Sequence, residues 1–205
     1  VYRQCFDAGR QAMANTPEKK TFSQHAGIMA VLAGAIPANQ EQSVLRRLMT
    51  DTTLSQATFY YRFYLNQALK KAGMANQYYG QLQPWRDMLA MGLTTFAENP
   101  EPTRSDCHAW SASPNYDFLA TICGIVPAQP GFARVKIAPA PGELQQIKGS
   151  MPHPLGNITV SLLRKGAHGI TASITLPAGL DGVFVWEGKE KALHSGQQDF
   201  DIGVF

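Results

Sequence analysis

The hydrophobic positions change rhythm along the chain. Up to Ile122 they recur every three or four residues, and beyond Val126 they alternate one in two. A period near 3.6 marks helices packed through one face and a period of two marks half-buried strands, so helices are expected first and sheet afterwards. About six helices follow from the first pattern. One covers Val1–Ala14, with Tyr2, Cys5, Phe6, Gly9 and Met13 at helical spacing, and breaks at Asn15-Thr16-Pro17. A second starts near Ser23 and ends at Gly34. In the third, Asn39 stands three residues before Gln42 like a capping box, and Val44, Leu45, Leu48 and Met49 share a face up to Asp51. The fourth, from about Ser55, repeats aromatics at Phe59/Phe63 and Tyr60/Tyr64 and closes with Lys70-Lys71 before Gly73. The fifth runs from Asn76 to Met91 with a kink at Pro84. Ser113 as N-cap and Pro114 as first helical residue open the sixth, which Gly124 stops.

After Val126, proline becomes frequent and short alternating runs appear at Val135-Ile137, Ile158-Val160-Leu162, Ile170-Ala172-Ile174-Leu176 and Val183-Val185. Glycine-bearing turns are expected at Lys165-Gly166, Ala178-Gly179, Asp181-Gly182 and Glu187-Gly188. About six or seven strands of this kind predict an antiparallel β-sandwich. Two domains are therefore expected: a helical one over residues 1–127 and a β one over residues 128–205.

Composition narrows the function. A chain of 205 residues with 44% hydrophobic content can bury enough surface for one large or two small domains. The net charge is only +3 and basic residues come in scattered pairs such as Arg46-Arg47, so no electrostatic footprint for nucleic acid is present. The longest apolar run, Ala26 to Ile36, is interrupted by Gly27 and Gly34 and falls short of a membrane span. Cys5, Cys107 and Cys123 lack metal-ligand spacing and suit free thiols, and no metal or other cofactor is indicated. Cys107 reads as a buried small hydrophobe, because an adjacent His108 is badly placed to accept its proton.

The densest chemistry lies between the fifth and sixth helices. Thr94-Thr95-Phe96-Ala97-Glu98 is followed by Asn99-Pro100-Glu101-Pro102-Thr103-Arg104 and then Ser105-Asp106-Cys107-His108-Ala109-Trp110. The prolines forbid a helix, so the stretch is expected to be a constrained loop at one rim of a helical array. Its groups fit a sugar: hydroxyls for His108, Asp106 and Arg104 to hold, and a C–H face to lie on Trp110. Glycosidic bonds are cleaved by paired carboxyl groups, of which Glu98 offers one. Gln24, Tyr60 and Tyr61 open helices that face the same rim, or serve only as cap and core.

These residues, with Gly124-Ile125-Val126-Pro127 and Pro130-Gly131-Phe132, resemble the C-terminal part of bacterial α-L-rhamnosidases of glycoside hydrolase family 78. The resemblance covers the whole chain and is most specific from Thr94 to Phe132. It implies part of an (α/α) six-hairpin barrel followed by a β-sandwich, and an inverting hydrolase acting on rhamnose-containing glycosides or polysaccharides. It further implies that Glu98 is the general base, that His108 binds rhamnose, and that Asp106 and Trp110 sit in the matching substrate-binding segment. Ala97 departs from the family, where a second large aromatic is common.

The resemblance implies that the general acid lies in the earlier half of the barrel, in the N-terminal part of the same polypeptide and outside this chain; Glu101, on the same loop as Glu98, is badly placed to flank a sugar from the opposite side. Alone, the chain is expected to be inactive and to leave an apolar flank open to that missing part or to self-association. A periplasmic or extracellular location follows from the resemblance. Two alternatives remain: a helical-barrel glycosidase for another sugar, or a non-catalytic carbohydrate-binding or structural module using Trp186, His194 or His168.

Overall fold

The computed structural model describes residues 2–100, 102–166 and 169–203, and the chain divides into two units, one ending at Ser113 and one beginning at Pro114. This division precedes the change of composition near Pro127, because the sixth helix packs with the sheets that follow it: Leu119 and Cys123 lie against Gly149. The order is α then β.

The first unit begins with α1 (Tyr2–Cys5), a hairpin of β1 (Phe6–Asp7) and β2 (Ala12–Met13), α2 (Gln24–Leu32), α3 (Ala38–Thr50) and α4 (Phe59–Lys71). Two 3-10 turns, Ala75–Gln77 and Tyr79–Leu82, lead into α5 (Gln83–Ala90). The expected helix over residues 1–14 is therefore only one turn long. Phe6 pairs with Met13 across the hairpin, and Asp7 Oδ1 accepts the Arg10 N–H at 2.9 Å, so a side-chain-capped turn replaces the continuing helix. Pro84 likewise starts α5 instead of kinking a longer helix, since it lacks the N–H that an interior position needs. Pro37, and not Asn39, caps α3. The expected Ser23 cap of α2 is present: its Oγ accepts the Ala26 N–H at 3.3 Å.

The core of this unit joins Ile28 and Val31 of α2, Val44, Leu45 and Leu48 of α3, and Leu65, Ala68 and Leu69 of α4. Gln24 stitches it together. Buried at 3% exposure, it donates from Nε2 to Leu48 O at 2.7 Å and accepts the Ala57 N–H on Oε1 at 2.7 Å. Replacing it by Met strands two buried backbone groups, and we expect a loss of about 2–4 kcal/mol in urea denaturation. Gly27 sits where α2 and α3 touch: a Cβ there would lie 2.7 Å from Leu48 Cδ1. Gly27→Ala is expected to cost about 1–2 kcal/mol in the same measurement, overpacking outweighing the better helix propensity of alanine.

The second unit starts with α6 (Ser113–Asp117), which widens into a π turn over Phe118–Ile122. Asp117 Oδ1 accepts the Thr121 hydroxyl at 2.9 Å within this turn. Eight strands follow: β3 (Ile125–Pro127), β4 (Arg134–Ile137), β5 (Gln146–His153), β6 (Gly156–Lys165), β7 (Gly169–Leu176), β8 (Asp181–Trp186), β9 (Lys189–Leu193) and β10 (Gly196–Ile202). They form two four-stranded sheets, ordered β10-β7-β6-β5 and β3-β4-β8-β9. Phe184 of one sheet stacks on Phe200 of the other with ring centroids 5.3 Å apart, which makes the pair of sheets a sandwich.

One expectation fails in detail. The β4–β8 pair is parallel, because β8 returns beside β4 only after the β5-β6-β7 meander has built the opposite sheet. Asp181-Gly182 is consequently inside a strand and not a turn. A Cβ on Gly182 would lie 2.4 Å from Val135 Cγ1, its partner in the parallel ladder, so this position excludes a side chain. The Pro130-Gly131-Phe132 stretch also has a structural role. Phe132 holds a left-handed backbone with φ 58°, its carbonyl O 3.1 Å from His153 Nε2. Since His153 Nδ1 accepts the Leu155 N–H at 3.1 Å, Nε2 carries the proton and donates to Phe132.

Candidate active site

The loop between α5 and the 3-10 turn Ala109–Ser111 is closed on itself by its own backbone. Glu98 N–H donates to Ser105 O at 2.9 Å and His108 N–H to Phe96 O at 2.6 Å, while the Thr95 hydroxyl donates to Asp106 O. The two halves of the expected loop thus run side by side. Ala97, at 2% exposure, plugs the loop into the helical unit, so the position beside Glu98 is filled inward by a methyl group. At the far end, the buried Trp85 indole donates to Ser111 O at 2.7 Å and lies 5.4 Å from the Phe59 ring, tying the loop to α5 and α4.

Glu98 is only 14% exposed at its side chain, whereas its partner Arg104 is 81% exposed. The guanidinium grips the carboxylate through both oxygens: Arg104 Nε donates to Oε2 at 2.6 Å and Nη2 to Oε1 at 2.6 Å. This fork holds the Glu98 carboxyl below the usual carboxylate range; partial burial opposes it, and the Arg104 and His108 charges add to it. Glu98 is a carboxylate at neutral pH, which is the form a proton acceptor needs.

His108, whose charge bears on Glu98, follows on the same loop, and Trp110 lies in the 3-10 turn directly after it. Their rings meet edge to face at 5.3 Å, and Trp110 is 64% exposed. The His108 Nε2 atom is buried and has no hydrogen-bond partner among the described residues, an open position for a hydroxyl. The loop is joined by residues distant in sequence. Tyr60, at the start of α4, lies 5.0 Å from the Trp110 ring; Tyr64 continues the row at 5.9 Å, and Tyr61 packs 4.1 Å from His25 of α2. Hydrogen bonding with Tyr64 pushes the Tyr60 phenol up, and burial does the same for Tyr61, so both stay neutral. Tyr60 is thus brought to the loop, whereas Gln24 is a buried structural tie.

Other candidates fare differently. Asp106 is exposed, and its carbonyl serves the loop's own closure. Cys107 is exposed, not the buried hydrophobe expected, because the 2.6 Å bond from the neighbouring His108 N–H fixes this part of the loop along its outer edge. Glu101 and His168 lie outside the described residues. In the sandwich, Trp186 is 7% exposed and belongs to the core, and His194 is an exposed residue 3.6 Å from Asp181. The outer face of the β10-β7-β6-β5 sheet carries a groove of about 360 Å³ lined by Ser161, Leu163, Thr171, Ser173, Asp199 and Asp201. Its one aromatic, Phe200, stacks inward on Phe184, so the groove offers no ring to a sugar face. Among the described residues no group of three His, Cys, Asp or Glu side chains is placed to hold a metal, and no helix is long and apolar enough to cross a membrane.

Residues 124–200 match the family described as bacterial alpha-L-rhamnosidase C-terminal domain. That match covers the sandwich, and over most of the chain the fold is similar to that of solved α-L-rhamnosidases. The crystal structure of the GH78 rhamnosidase of Bacillus sp. GL1 superposes with a TM-score of 0.79 at 25% identity, over 90% of this chain and 22% of that one. An α-L-rhamnosidase from Aspergillus terreus matches with a TM-score of 0.80 at 22% identity, over 98% of this chain and 25% of its own length. The enzyme from Dictyoglumus thermophilum gives a TM-score of 0.78 at 18% identity, over 98% of this chain and 27% of its own. This chain therefore spans about a quarter of the length of these structures. A search of curated proteins finds no match.

Proposed function

We propose that this chain is the C-terminal portion of a glycoside hydrolase that releases terminal α-L-rhamnose, with the helical unit forming part of an (α/α) barrel. The observation that carries the reading is the juxtaposition on one closed loop of an ionised carboxylate, Glu98, with the unpartnered His108 Nε2 and the exposed Trp110 ring. Glu98 is the general base. It takes a proton from a water on the face of the sugar opposite the leaving group, inverting the anomeric carbon. His108 holds a ring hydroxyl and Trp110 receives the C–H face, with Asp106 at the pocket's outer edge. The acid that protonates the leaving oxygen comes from another part of the full-length polypeptide, about 6.5–9.5 Å from the base.

Exposed Leu89 (72%) and Met91 (51%) at the end of α5, and exposed Met29 (44%) on α2, are apolar side chains left for the remaining barrel helices to cover. Domain limits at 1–127 and 128–205 then divide barrel from sandwich by composition, with the sixth helix as the joint that packs on the sheets. The test is a panel of nitrophenyl glycosides offered to the full-length protein and to the 205-residue chain. Hydrolysis of the α-L-rhamnoside by the full-length protein alone is expected. Preference for another sugar would leave the barrel glycosidase and remove the rhamnose assignment, and turnover by the short chain would contradict the absent acid.

A further inference from the structure

Arg104 is one of the most exposed residues of the loop, yet it makes its most ordered contact. Six residues beyond Glu98, it closes a planar two-bond fork on the carboxylate, both bonds at 2.6 Å. An ordinary surface ion pair of two long side chains holds neither partner in one place. Here the geometry differs on both sides. Glu98 is largely covered, and its backbone is pinned by the 2.9 Å bond to Ser105 O, one residue from Arg104. Ser105 is itself held, its N–H donating to Thr103 Oγ1 at 3.3 Å and its carbonyl accepting the Thr103 hydroxyl at 3.0 Å. The arginine is thus presented from a tied turn, and the carboxylate plane is set by the guanidinium plane.

Each carboxylate oxygen gives one lone pair to the fork and keeps another for a water, and the guanidinium uses two of its five N–H groups. We infer that Arg104 is a positioning residue for the reaction: it fixes the plane of the Glu98 carboxylate and keeps it charged, so that the free lone pair of one oxygen is aimed at the attacking water. The inference rests on the reading of Glu98 as general base. Among the described residues, the ionisable groups bearing on Glu98 are Arg104 and His108, both on this loop. The fork from Arg104 is the largest of the influences that lower the Glu98 pKa, so the acid limb of the rate profile depends chiefly on the arginine.

The experiment compares Arg104→Lys, Arg104→Met and Glu98→Gln in the full-length protein, using kcat, KM and the pH dependence of kcat/KM on an α-L-rhamnoside, with thermal unfolding as a check on folding. Arg104→Met is expected to lower kcat by about 10- to 100-fold with KM little changed, and to move the acid limb upward toward the ordinary carboxylate range. Arg104→Lys, which keeps a point charge without the fork, is expected to hold the acid limb low and still lose kcat. Unchanged kcat and an unmoved acid limb in both arginine variants, with Glu98→Gln inactive, would overturn the positioning role and leave the general base standing. Full activity in Glu98→Gln would remove the base and the positioning role together. A fall in kcat matched by a lower unfolding temperature, with the acid limb unmoved, would assign Arg104 to loop stability and also overturn the inference.

Discussion

Glu98→Gln in the full-length protein is expected to lower kcat by about 100- to 10,000-fold while leaving its unfolding temperature close to that of the unsubstituted protein. The amide keeps the size and shape of the side chain but cannot accept a proton from water. Its structural cost is small because the lost partner, Arg104, is 81% exposed and regains hydration. The direction of the pH dependence follows from the depressed carboxyl pKa. Glu98 stays ionised below the usual carboxylate range, so activity persists to lower pH than an unpaired glutamate would allow and fails as pH falls through the depressed value. The same linkage applies to the fold: the pair stabilises the loop above the unfolded glutamate value of about 4.3 and ceases to do so as pH falls through the lower folded value. Rates measured from pH 3 to 8 with and without Arg104 separate these effects, since only the catalytic limb responds to the substrate.

Gly124→Ala is expected to have the largest effect on stability, about 3–5 kcal/mol in urea denaturation of the second unit's transition. Gly124 has φ 71°, and a Cβ on it would fall 2.1 Å from the Ala138 carbonyl carbon and 2.4 Å from Pro139 N. A left-handed conformation costs an alanine roughly 1–2 kcal/mol, and the obstacle here is backbone that cannot rotate away. The clash is built into the architecture: Gly124 O accepts the Ala138 N–H at 2.9 Å, just beyond the paired residues Ile125 and Ile137, so the chain must leave the π turn and enter β3 in close contact with the end of β4. A loss below about 1 kcal/mol would show that the strand entry is pliable and that the glycine is not required.

The helical half was legible wherever a side chain declares its own local preference. The α4 aromatics at i,i+4, the Ser23 cap and the proline-rich loop all act within a few residues, and all are found where the spacing puts them. The first fourteen residues misled because their apolar spacing fits either a helix or a hairpin; pairing of Phe6 with Met13 decided for the hairpin. In the sandwich, β6, β7 and β8 announced themselves by alternation. The polar edges β9 and β10, and β5 with Pro152, did not, since edge strands carry charge and proline in place of a buried face.

The candidate site divides the same way. The order of residues was enough to group Glu98, His108 and Trp110, because one loop carries them all and its prolines exclude a helix between them. No pattern in the chain revealed that Arg104 would turn back onto Glu98, that Tyr60 would reach Trp110 from α4, or that Cys107 would face outward. Local rhythm determines which segments become helix or strand because it acts through neighbouring residues. Pairing across a loop, the parallel β4–β8 contact and the meeting of distant rings depend on which surfaces are buried together, and that was decided only when the whole chain packed.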